Sequence, residues 1–128
     1  MIPGWLNDIV REFAAGMGLK SLSLNADGAA ALRFENGVRF RLEYAMDFLT
    51  LSMSLEAPQD PAAAKLLLKA SDPFRRGAFP IRTGTAANPP RAVFAVRLEP
   101  SEITLGNLDG AMAELWRAAE NFKRRIGS

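Results

Sequence analysis

Arg39 and Arg41 alternate with Glu43 along one segment, so in a strand the three side chains would share one face. Two guanidinium groups on one face could bind a phosphate, because each presents a planar fork of N–H donors. The same arginines could instead pair with side chains across a neighbouring strand on a solvent-exposed face. We favour cross-strand pairing, which gives this segment a structural role.

The other groups with chemical potential lie beside predicted turns and helix starts. The glycine-containing stretch 106–110 could be a ligand loop, but it falls at the start of a predicted helix, so we interpret it as a cap region. Asp27, Asp47, Asp60 and Asp109 each stand alone, which is typical of solvated turn and cap residues. The sequence has no P-loop, dinucleotide-binding fingerprint, zinc-ligand spacing or G-x-S-x-G motif.

The chain of 128 residues contains no cysteine and no histidine. It therefore lacks thiolates, disulfides, the usual general base near neutral pH and the commonest metal ligand. We expect a protein without enzymatic turnover, metal or cofactor. A small enzyme or nucleotide-binding domain that uses carboxylates and arginines is the alternative from a different class.

Charge is nearly balanced, because 16 basic and 14 acidic residues give a net charge of +2. The basic clusters are Arg75-Arg76 and Lys123-Arg124-Arg125, and the second lies where the end of a helix favours cations. No nucleic-acid partner is therefore expected. The N-terminal residues lack the pattern of a secretory signal, and no run of about 18 apolar residues is present, so we expect a cytosolic protein without a membrane span.

Apolar periodicity predicts a single α+β domain over residues 1–128. The first helix ends near Gly16 and Gly18, and Asn36-Gly37 predicts a two-residue hairpin in the strands that follow. The predicted order is a helix, an antiparallel strand meander, a short helix, two strands and a long C-terminal helix. The predicted boundaries are extended segments over 21–25, 30–35, 38–44, 49–55, 79–83 and 91–98, helices over 62–70 and from near 107, and a loop over 84–90.

The short helix carries more apolar surface than one face can hold. Leu66, Leu67 and Leu68 are adjacent, and three adjacent side chains cannot all face one side of a helix. Because a domain of this size has little deep core, we predict that this helix mediates self-association rather than being simply buried. For Trp5 and Trp116, packing against the chain's own sheet is favoured over contact with a partner.

Five segments along the chain form a recognisable series. They are Gly18-Leu19-Lys20-Ser21-Leu22-Ser23-Leu24 after the first helix, the turn and strand from Asp27-Gly28 to Phe34, the alternating strand Leu49 to Leu55, the leucine-rich helix Ala64 to Ala70, and Ala113-Glu114-Leu115-Trp116-Arg117 in the last helix. The order and spacing of these segments resemble the class I chaperones of bacterial type III secretion, the Tir-chaperone (CesT-like) family. The likeness covers nearly the whole chain.

The resemblance implies a homodimer, or a heterodimer with a similar chaperone, organised around the short helix. Its dimer contacts would include Leu66, Leu67, Leu68 and Ala70. The client would be a secreted effector or a gatekeeper protein, whose extended N-terminal segment wraps around the dimer and is kept soluble and ready for export without ATP. A YbjN-like or other protein-interaction domain of the same fold, with no secretion role, is the alternative.

A client-binding groove is predicted between the first helix and the meander, because an extended segment needs apolar pockets and a strand edge. The same side chains also suit the core of the chain itself, and a core role and a binding role predict different mutant behaviour. The predicted lining residues are Trp5, Ile9, Phe13, Leu49, Leu51 and Met53.

Overall fold

The computed structural model describes residues 2–18, 22–70, 79–87 and 89–126. These residues form three α-helices, five β-strands and a short 3₁₀ turn in the α+β order expected from the sequence. The elements are α1 (Gly4–Gly16), β1 (Ala29–Arg33), β2 (Arg39–Ala45), β3 (Phe48–Glu56), α2 (Pro61–Ala70), β4 (Arg82–Ala86), β5 (Arg91–Leu98), the 3₁₀ turn Pro100–Glu102 and α3 (Leu105–Ile126).

The five strands form one antiparallel sheet in the order β1-β2-β3-β5-β4, so β1 and β4 are its edges. Alternation within each strand separates an apolar face, packed under the helices, from a polar face. Helix α3 packs on β3 and β5, and also contacts α1 and α2. The buried apolar positions of the three long strands are Phe40, Leu42, Leu49, Leu51, Met53, Leu55, Ala92, Phe94, Val96 and Leu98.

The hairpin at Asn36-Gly37 has a three-residue loop rather than the predicted two-residue loop. The Phe34 N–H donates to the Val38 carbonyl at 2.9 Å, and the Gly37 N–H donates to the Phe34 carbonyl at 3.0 Å. Gly37 has φ 88°, which fits a turn followed by a bulge residue in the left-handed region. The next loop is the two-residue one, with Met46 at φ 52° and Asp47 at φ 68° between the paired residues of β2 and β3.

The second half of the chain differs from the predicted boundaries at two places. Strand β4 begins at Arg82 and continues to Ala86, so the predicted strand over 79–83 starts and ends too early, and the predicted loop over 84–90 also starts too early. Pro80 lacks the N–H that a paired strand would use, while 82–86 pair in full with β5. Helix α3 begins two residues before the predicted Asn107, because the Thr104 hydroxyl accepts the Asn107 N–H at 3.1 Å as an N-cap.

Gly28 is the position where the fold leaves no room for a side chain. Its φ is +80°, and a Cβ there would lie 2.5 Å from the Tyr44 carbonyl oxygen. The Tyr44 N–H also donates to the Gly28 carbonyl at 2.7 Å, which holds the two backbones together. The start of β1 is therefore fixed against the end of β2.

We expect Gly28→Ala to lower the free energy of unfolding by about 2–4 kcal/mol, because the left-handed backbone costs an L-residue roughly 1–2 kcal/mol and the clash adds strain of similar size. Gly37→Ala is the matched control, since Gly37 also has positive φ but a Cβ there would meet nothing within 4 Å. Urea denaturation measures both variants. Equal losses in the two would show that the approach to Tyr44 contributes nothing.

Candidate protein-binding surface

Helix α2 is anchored to the rest of the protomer along one side. Asp60 caps its N-terminus, as predicted for an isolated aspartate before a helix, by accepting the Ala63 N–H at 2.8 Å. The helix packs against α3 and β4, and the Thr83 hydroxyl donates to the Leu67 carbonyl at 3.1 Å. These contacts fix which α2 side chains point inwards.

The three adjacent leucines of α2 point in different directions. Leu67 is 6% exposed and belongs to the core of its own protomer, so its predicted role as a dimer contact needs correction. Leu68 is 71% exposed, so most of its side chain is accessible to solvent. Leu66 and Ala70 are half-buried at the border of the core. The predicted dimer surface is therefore centred on Leu68, and dimerisation stays a prediction.

Helix α1 also presents apolar side chains at the surface. Trp5 is 47% exposed, contrary to the expectation that it packs against the sheet, and Ile9, one turn further on, is partly exposed. Phe13, on the next turn, is fully buried, and its ring lies 6.1 Å from that of Phe40. The accessible apolar surface of α1, which we call the α1 ridge, consists of Trp5 and Ile9.

Four of the six residues predicted to line a client groove are core residues. Phe13, Leu49, Leu51 and Met53 are each 0% exposed, so this structure offers none of them as a contact surface. The reason is the position of β3 in the middle of the sheet, between β2 and β5 and beneath α3. Trp5 and Ile9 are the members of the predicted set that stay accessible, and the client-binding role stays a prediction.

Trp116 is held within the fold, in line with the interpretation favoured from the sequence. Its ring packs edge-to-face on Phe34, with the ring centroids 5.3 Å apart. It borders a cleft of about 810 Å³ between α2 and α3, which Leu66 and Ala70 also line. This cleft continues the apolar border of α2 onto the last helix.

The segment that leads into the edge strand β1 is held against α1. The Asn7 side chain accepts the Leu24 N–H at 3.2 Å. Among the described residues, no strand pairs with the outer side of β1, although the Ala29 N–H and carbonyl are already bonded to Asn25. The rest of this edge offers backbone groups to an added strand. Asn7 is two residues from both Trp5 and Ile9, so it lies on the other side of α1 from the α1 ridge.

Among the described residues, the polar face of the sheet does not carry the predicted cross-strand ion pairs. Arg41 pairs with Glu43 of its own strand at 3.1 Å, with both side chains about half exposed. Arg39 lies directly opposite Arg33, a residue of the same charge. The sequence prediction was therefore wrong about the partners, because it did not include the register of β1 against β2.

Arg91, which the sequence analysis did not single out, is the buried charge on this face. It is 7% exposed and donates to the Ser54 hydroxyl at 3.0 Å, the Ser54 carbonyl at 2.8 Å and the Gly37 carbonyl at 3.3 Å. Burial lowers its pKa, and repulsion from Arg39 lowers it further. A pattern of alternating residues in β5 places Arg91 on the polar face but gives no sign that it is buried.

The described residues show no arrangement for metal chemistry. Within 2–18, 22–70, 79–87 and 89–126, no three histidine, cysteine, aspartate or glutamate side chains are grouped closely enough to hold an ion. No helix in the described part of the chain has the length and apolar character needed to cross a membrane. The described surface instead presents exposed apolar side chains, strand edges and arginines. These groups can bind other molecules without a metal.

Solved structures share this fold over almost its whole length. A chain of the HopA1–SchA chaperone–effector complex superposes with a TM-score of 0.75 at 17% identity, covering 97% of this chain and 99% of that one. The chain has a secretion-chaperone fold. The Yersinia pestis type III secretion chaperone SycH, solved with a fragment of YscM2, matches with a TM-score of 0.68 at 17% identity, covering 91% and 98% of the two chains.

The fold also occurs outside the secretion chaperones. YbjN from E. coli matches with a TM-score of 0.56 at 19% identity, covering 98% of this chain and 90% of that one. No protein-family model matches the chain, and no curated protein sequence matches it. At these identities the comparisons establish the architecture of the chain and not its function.

Proposed function

We propose that the chain is a type III secretion chaperone of the CesT-like group. In this role it binds the N-terminal segment of an effector or gatekeeper protein in the cytosol and keeps that segment soluble and competent for export. The observation that carries the proposal is the match to a chain of a chaperone–effector complex over 97% of the sequence with a TM-score of 0.75. The exposed apolar residues of α1 and α2 support it.

The proposed binding of an extended segment is supported by two surfaces, the outer side of β1 and the α1 ridge. A strand added along β1 beyond Ala29 would pair its backbone with that edge, which contributes affinity without depending on sequence. Trp5 and Ile9 would offer apolar contact to another part of the segment. The α1 ridge has fewer residues than the groove that the sequence predicted.

The surface of α2 supports the proposal of a dimer by a separate argument. Leu68 leaves most of an apolar side chain in water, while Leu66 and Ala70 extend the same border. Packing α2 against the same helix of a second copy would remove Leu68 from water in both protomers, as a twofold-symmetric interface requires. We propose a homodimer. The alternative is a heterodimer in which the same surface contacts a similar chaperone.

The proposed role requires no reaction, metal or cofactor, since binding alone keeps a client segment soluble. The alternative is a YbjN-like interaction domain without a role in secretion. The higher TM-scores of the two chaperone structures, 0.75 and 0.68 against 0.56, favour secretion.

The test begins with capture of partners by the tagged protein in its source organism, followed by mass spectrometry. For each partner, the N-terminal segment and the remainder are then produced separately with and without the chain. We expect the N-terminal segment alone to bind, and to precipitate when the chain is absent. A partner that binds only through its folded remainder, or a segment that stays soluble alone, would contradict the proposal.

A further inference from the structure

The polar face of the sheet concentrates positive charge. The described strands place six arginines on this face and only two glutamates, Glu43 and Glu56, whereas the whole chain carries a net charge of +2. The described strands place no lysine on this face, although the chain contains lysines elsewhere. The arginines are Arg33, Arg39, Arg41, Arg82, Arg91 and Arg97.

Three of these arginines lie close together, with Glu56 opposite one of them. Arg33 and Arg39 are directly opposite on neighbouring strands, an arrangement that destabilises a sheet when the charges are alike. Burial is the main cause that lowers the pKa of Arg91, and the nearby Arg39 and Arg33 lower it further, while Glu56 raises it. Its guanidinium is held by hydrogen bonds to uncharged oxygens of Ser54 and Gly37, so its position is fixed before any ligand arrives.

A shallow groove of about 530 Å³ runs over this cluster. Its charged lining comes from Arg33, Arg39, Arg41 and Arg91, and Ser52 adds a hydroxyl. The planar fork of an arginine binds a carboxylate through two parallel hydrogen bonds, which a lysine cannot do. The groove therefore matches an anionic partner with several carboxylates.

We propose that this groove, the arginine groove, binds an acidic stretch of the client, with aspartate or glutamate carboxylates received by Arg33 and Arg39 above the fixed charge of Arg91. The proposal rests on the proposed function only in assigning that stretch to the client. A second copy is a poor occupant, because two such faces would repel in a symmetric contact.

Nucleic acid is also a poor occupant of the arginine groove. Binding of single strands uses aromatic rings on which bases stack. On this face Phe48 is covered by Arg97, whose guanidinium lies 3.7 Å from the ring centroid. The described part of the groove lining contains the aromatic residue Phe40, but Phe40 is 1% exposed and belongs to the core, so a base cannot stack on it.

The test measures binding of a fluorescent peptide of six Glu-Ser repeats to the full chain. We expect saturable binding that weakens with added salt, and at least about tenfold weaker binding in Arg33→Gln/Arg39→Gln, because two charge-assisted contacts are lost. The control Arg117→Gln/Arg124→Gln removes the same charge from exposed positions of α3 and should change binding less than about threefold.

Equal binding by both double variants, or equal binding of a Gln-Ser peptide, would overturn the inference. Tighter binding of a twelve-nucleotide single strand or of phosphatidylserine vesicles than of the Glu-Ser peptide would also overturn it. Folding is not at risk, since removing a like-charged pair should leave the melting temperature unchanged or raise it. If client capture fails while the peptide still binds, the proposed function is contradicted and the arginine groove is not. If Arg33→Gln/Arg39→Gln captures the client normally, the role of the arginine groove is contradicted and the proposed function is not.

Discussion

Leu68→Asp is expected to convert the protein from a dimer into a monomer at micromolar concentration. Leu68 is 71% exposed on a helix whose neighbouring leucine is buried, so a charge there leaves the protomer's core untouched. Placing a carboxylate at the centre of an apolar contact typically costs 2 kcal/mol or more of association energy, which corresponds to roughly a 30-fold weaker dimer. Light scattering and sedimentation measure the change.

The matched control for Leu68→Asp is Ala113→Asp, which adds the same charge at an exposed position of α3. When the melting temperature is extrapolated to low protein concentration, where only monomer is present, both variants should have the wild-type value. Leu67→Asp does not serve as an interface probe, because Leu67 is 6% exposed and its substitution would unfold the protomer. A wild-type protein that stays near 13.9 kDa, or a Leu68→Asp variant that dimerises normally, would contradict the assignment.

Met53→Ser and Phe13→Ser are expected to destabilise the fold strongly, while Trp5→Ser should leave its stability nearly unchanged and impair client binding. Met53 and Phe13 are fully buried, so the serine variants lose the transfer energy of the side chain, leave a cavity and bury a hydroxyl. The loss is about 3–5 kcal/mol each, out of a total stability of roughly 5–15 kcal/mol for a domain.

Trp5 differs because it is 47% exposed, so its replacement should cost the fold about 1 kcal/mol or less. Its loss from the α1 ridge should weaken client binding by about 30-fold, as expected for an aromatic contact at an interface centre. Glu12→Ser is the control on the same helix, since Glu12 is exposed and polar. Thermal melting and titration with the client segment separate the two effects. Normal client binding by folded Trp5→Ser would remove the α1 ridge from the account.

Most of the fold was predictable from local patterns. Alternation in β2, β3 and β5 correctly assigned the buried face, because a strand with one face in the core must repeat with period two. Asp60 was correctly predicted to be a turn or cap residue, and the predicted helix over 62–70 starts one residue later than α2. Asp47 was correctly predicted to lie at a turn, but the two-residue form of this loop was not predicted, because methionine carries no turn signal and only the backbone shows its positive φ.

The surface was less predictable, since exposure depends on which elements lie next to one another in space. The alternating leucines of β3 fit either a groove or a core, and only the central place of β3 in the sheet decides for the core. The leucines of α2 were correctly predicted to face more than one way, but the sequence could not show that Leu68 is the exposed one. The opposition of Arg33 and Arg39 depends on strand register, which local periodicity does not give.

Our central proposal is that the chain enables the export of a client by binding the N-terminal segment of that client. The direct measurement is the amount of the captured client in the culture supernatant and in the soluble cell fraction, with the gene for this chain deleted and then restored. We predict that deletion strongly reduces the client in both fractions, and that a Leu68→Asp or Trp5→Ser gene restores it poorly. Undiminished secretion of a soluble client after deletion would contradict the account.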